Sequence, residues 1–111
     1  MNYEKIPKEL INTKYRKEMR NNSKKILKRL ERIMPISSVH LLGSFTTKKK
    51  RPADVDFIIL VQTKDKNPKS EWSVDVSFAP NNKFGKSTLE DAKKWMKQKY
   101  GAKKSAVIRI K

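Results

Sequence analysis

At 111 residues the chain is long enough for one hydrophobic core and too short for two, which points to a single domain over 1–111. With no cysteine and one histidine, it excludes disulfides, thiolate zinc sites, a cysteine nucleophile and a histidine-rich metal site. Its +17 charge lies on the flanks, with eleven basic and four acidic side chains in residues 1–35, seven and five in 36–80, and ten and two in 81–111, so a polyanion such as RNA is the natural attractor.

In chain order, Met1 runs into Asn2, Tyr3, Glu4 and Lys5 without an apolar signal core. No apolar run reaches the ~18 residues that would span a bilayer, so the expectation is a cytoplasmic protein without a membrane partner. Ile11, Tyr15, Met19, Ile26, Leu30 and Ile33 keep one stripe along a predicted helix over 8–33. Asn21, Asn22 and Ser23 offer a break into two helices, with Ser23 as the second cap, and Pro35 stops the element. Ser38 to Leu42 reads as a short strand ended by Gly43. After the basic turn Lys48 to Pro52, the uninterrupted run Val55 to Val61 predicts a strand covered on both faces.

Beyond the polar stretch 63–70, Trp72, Val74, Val76 and Phe78 alternate with Ser73, Asp75 and Ser77, the pattern of a strand with one buried face. Ser87 and Glu90 have capping-box spacing, predicting a helix from Thr88 to about Tyr100 that Gly101 ends. Ser105 to Ile110 reads as a last strand. Lys93, Lys94, Lys97, Lys103 and Lys104 form either a phosphate-tracking stripe or the solvated side of an amphipathic helix.

The chemistry concentrates in the middle third. Asp54 and Asp56, two apart at a strand start, put two carboxylates on one side of a sheet, where repulsion and desolvation are costly unless a dication sits between them. Hard oxygen donors favour Mg²⁺. Asp75 offers a third carboxylate from the polar side of the next predicted strand, and Gly43-Ser44, at a strand-to-helix turn, offers backbone N–H groups to an anion. The plainer readings are a solvated strand start, a solvent-facing strand residue and an ordinary turn, with Lys48 to Arg51 a solvated loop and His40 a structural histidine.

Leu42-Gly43-Ser44, a nine-residue spacer, Asp54-Val55-Asp56-Phe57 and later Val74-Asp75-Val76 together resemble the signature of the DNA polymerase β-like nucleotidyltransferase superfamily, over residues of about 26–78. The resemblance implies an α/β (α+β) fold, a small mixed β-sheet of polymerase β palm type with helices packed mainly on one face. It further implies a single nucleotidyltransferase domain with a helical segment 8–33 and a catalytic core 36–80. Asp54, Asp56 and Asp75 would be the catalytic, metal-binding acids for two Mg²⁺ ions, with Mn²⁺ as a substitute. Gly43 and Ser44 would hold the triphosphate of the NTP substrate. The Arg-Gly pair and the Ser before the acids that small members carry are absent from Phe45 to Ala53, so Lys48 and Arg51 are the triphosphate contacts expected instead. The implied reaction is transfer of a nucleoside monophosphate to a hydroxyl acceptor with release of pyrophosphate. RNA, particularly tRNA, is the favoured acceptor. The alternatives are modification of a helical partner protein in a toxin–antitoxin pair and a non-catalytic basic nucleic-acid-binding module on the same fold.

Overall fold

The structure, a computed structural model, describes residues 3–64, 67–101 and 106–111. These divide into two units, Met1–Ser70 and Glu71–Lys111, each described by itself.

In the first unit, 3-10 turns at Tyr3–Lys5 and Lys8–Ile11 lead into helix α1, Lys14–Ile33. Thr13 caps α1: it is extended, and its hydroxyl accepts from the Arg16 N–H at 3.1 Å. The helix proper therefore starts later than the stripe predicts. The possible break at Asn21-Asn22-Ser23 does not occur, because the Ser23 hydroxyl donates to the Met19 carbonyl at 2.8 Å and is satisfied within the helix. At the other end Pro35 holds Met34 in extended backbone, and the Met34 N–H closes the last turn on Leu30 O at 2.9 Å.

Strand β1, Ile36–Leu42, pairs antiparallel with β2, Asp56–Val61. Leu42 faces Asp56 and His40 faces Ile58, with a bulge between Ile36 and Ser38. Val39, Leu41, Phe57 and Ile59 turn to the half-buried side, where Leu27 of α1 and Phe45 are fully buried. A small hollow beside them is lined by Arg20 and Ser23 of α1 and by Leu41, Phe45, Val55 and Phe57. His40, Leu42, Asp56, Ile58 and Leu60 occupy the opposite face. Ile58 and Leu60 are 52% and 54% exposed there, so within this unit the apolar run of β2 is covered on one face, where both were expected.

In the second unit, helix α2 spans Lys83–Tyr100, capped by the Asn82 side chain, which accepts from the Gly85 N–H at 3.1 Å. The cap lies five residues ahead of the predicted Ser87. Gly101, at φ 82°, ends the helix as expected. Trp72 to Phe78 and residues 106–110 carry no strand hydrogen bonding among the described residues, and Ser105 lies outside them. The described architecture is α+β, with two long helices and one two-stranded antiparallel sheet. No described helix is long and apolar enough to cross a membrane.

Candidate functional site

The end of β1 fixes the geometry. Because Leu42 pairs with Asp56, the chain leaving β1 turns beside the start of β2, and Gly43 makes that turn at φ 82° and ψ −161°, a conformation open to glycine. The approach is close: a Cβ on Gly43 would lie 2.5 Å from Asp56 Oδ2. The glycine-serine turn and the acid pair, separated by a nine-residue spacer, thus meet at one end of the sheet.

Burial first, and the neighbouring Asp54 carboxylate second, push the Asp56 carboxyl above its ordinary value. Both causes penalise its charged form, as expected for two acids close together without a counter-ion. Within the first unit the described residues bring a pair of acids to this point rather than a trio. Asp75 belongs to the second unit and is exposed in the segment 71–80, which forms neither helix nor strand. His40 sits on the same sheet face as Asp56, exposed and hydrogen-bonded through Nε2 to Ser38 Oγ at 3.0 Å.

Ser44–Thr46 forms a single 3-10 turn closed by two hydrogen bonds to Gly43 O, from Thr46 N at 3.0 Å and Thr46 Oγ1 at 2.7 Å. What shapes the rest of the loop is Arg16, a residue the sequence reading missed. It is 3% exposed, and its guanidinium donates to four carbonyls: Leu10 O at 3.1 Å and Phe45 O at 2.8 Å from Nη1, Thr47 O at 2.6 Å and Lys49 O at 2.5 Å from Nη2. The cation also lies 5.0 Å from the centre of the buried Phe45 ring. Its neighbour Tyr15 donates to Pro52 O at 2.5 Å, and Arg51 stacks over the Tyr15 ring at 4.1 Å. The signal was present, since Arg16 falls on the inward stripe of α1 between Tyr15 and Met19.

This clamp has a directional consequence. The described peptides are trans, and a trans peptide points its C=O and N–H in opposite directions. Carbonyls 45, 47 and 49 turn in to Arg16, so the N–H groups of Thr46, Lys48 and Lys50 point away from it. Thr46 returns its N–H to Gly43 O, while the Lys48 and Lys50 side chains are exposed. The loop therefore presents a rigid basic outer rim beside the glycine turn.

The sequence family described as a family of unknown function (DUF6932) matches residues 1–109. The chain belongs to that family. No curated protein and no solved structure matches it. In this DUF6932 chain the residues present suit a hard dication. Asp54 and Asp56 supply adjacent oxygen donors, one of them destabilised as an anion, and the missing Cβ of Gly43 lets the Asp56 carboxylate pack directly against the turn.

Proposed function

We propose that the chain is a Mg²⁺-dependent nucleotidyltransferase of polymerase β palm type, moving a nucleoside monophosphate from an NTP to a hydroxyl acceptor, RNA or tRNA by preference, and releasing pyrophosphate. The observation that supports this reading is the close approach of Asp56 to Gly43, which brings the glycine-serine turn and the acid pair together. Asp54 and Asp56 would hold the metal. When bound, Mg²⁺ supplies neutralisation of the triphosphate oxygens and a lowered pKa for a coordinated hydroxyl.

The chain's own residues do the rest. Gly43 lets the backbone approach the phosphates, and the Ser44 hydroxyl and the outward Lys48 N–H and ammonium are donors for the β- and γ-oxygens. Arg16 keeps those donors in place without contacting substrate. Arg51, fixed on Tyr15, adds a second cation to the rim. The resemblance assigns the third acid and the acceptor's proton to Asp75.

The test is incubation with each radiolabelled NTP, Mg²⁺ or Mn²⁺, and total cell RNA and protein. Label entering RNA, and lost in Asp54→Asn and Asp56→Asn variants that remain folded, is the expected result. Label entering a protein instead would favour modification of a partner. Equal labelling by wild type and Asp56→Asn would end the proposal, and Asp75→Asn tests the third acid separately.

A further inference from the structure

The outward face of α1 carries a line of cations that neither the core nor the loop uses. At 100° per residue, Lys14, Lys17, Lys25, Lys28, Arg29 and Arg32 fall within an arc of about 120°. Tyr15, Met19, Ile26 and Leu30 fall on the opposite arc, toward the interior. All six cations are exposed, and among the described residues no ion pair neutralises them. Glu18 is the single acid on that arc. The steps from Lys14 through Lys17, Asn21, Lys25 and Lys28 to Arg32 are three or four residues each, which makes a straight ridge of about 27 Å.

We infer that this ridge is a docking surface for the sugar-phosphate backbone of RNA. The chain as a whole carries 28 basic against 11 acidic side chains, whereas on this arc six positive groups stand against one negative. A membrane-surface helix lays its apolar side in the lipid, but the apolar side of α1 is turned to the sheet. What remains outward is charge at regular intervals, complementary to a chain of phosphates. The ridge supplies the hold on an RNA acceptor that the proposed reaction needs. Its test, however, is equilibrium binding without nucleotide or metal, so the two readings stand or fall separately.

The experiment compares the full chain with Lys17→Gln/Lys28→Gln/Arg32→Gln and with a control of equal charge change on α2, Lys86→Gln/Lys94→Gln/Lys97→Gln, all confirmed folded by circular dichroism. A fluorescent RNA hairpin is titrated at several salt concentrations. The ridge variant is expected to bind about 10- to 100-fold more weakly at physiological salt, with the slope of log K against log salt smaller by about 2. The α2 control is expected to lose much less. Equal losses in both variants would mean that bulk charge holds the RNA and would overturn the inference. Tighter binding of the wild type to phosphatidylserine vesicles than to RNA, abolished in the ridge variant, would overturn it in favour of a membrane contact.

Discussion

Gly43 is constrained twice over, by its own backbone angles and by Asp56. Any other residue there pays strain at φ 82° and also brings a Cβ to 2.5 Å from the carboxylate. Gly43→Ala should therefore lower unfolding free energy by about 2–3 kcal/mol in urea titrations, an outcome a freely adjustable turn would not give. Asp56 makes a second prediction through its raised pKa. A carboxyl raised in the folded state contributes stability that is complete below its ordinary value and is lost as pH rises through the folded value. Asp56→Asn has no such dependence. The melting temperature of the wild type, relative to Asp56→Asn, should fall as pH climbs through the mildly acidic range and then level off. A constant gap across that range would remove the argument that Asp54 and burial act on this group.

At the scale of elements, α1 and the loop after β1 are joined by one buried cation bonded to four carbonyls. Arg16→Met would leave those carbonyls without their donor and should cost about 2–4 kcal/mol. Arg16→Lys should recover only part of it, because an ammonium lacks the planar fork that spans Phe45, Thr47 and Lys49. If Lys restored full stability, charge alone would hold the loop. The elements legible in the sequence are those with a local cause. The stripe of α1, the β-rich run before Val61, the turn at Gly43 and the end at Gly101 are each set by residues within a few positions. Where the cause is non-local, the pattern misled. Trp72 to Phe78 alternates like a strand, yet a ladder needs a neighbouring strand that no alternation specifies, and its large apolar residues are exposed. The start of α2 was hidden by the capping-box spacing of Ser87 and Glu90, although Asn82 caps the helix five residues earlier. An arginine beside an apolar stripe, as Arg16 is, looks like an interruption until the carbonyls it gathers are known. Asp54 and Asp56 stood out by their spacing, but the contact that gives them meaning, with Gly43, depends on the register of β1 against β2.

For the whole molecule, +17 on 111 residues makes the response to salt a diagnostic of the acid pair. A polycation is screened by anions, so raising chloride should stabilise the fold whatever cation accompanies it, by weakening self-repulsion. A dication is repelled by the overall field, and non-specific Mg²⁺ binding is disfavoured nearly everywhere on the surface. If MgCl₂ stabilises the chain more than KCl at matched chloride, the excess must come from a place where negative charge is concentrated enough to overcome that field. In the first unit Asp54 and Asp56 are the place where the proposed function puts the metal. A site with magnesium tenfold above its Kd adds about 1.4 kcal/mol to stability, readily visible in a thermal melt. The excess should be present in the wild type and absent in Asp56→Asn, whose melting should follow chloride alone. Identical shifts in the two proteins would mean that the pair holds no metal, and the catalytic reading would lose its physical basis even if RNA binding along α1 survived.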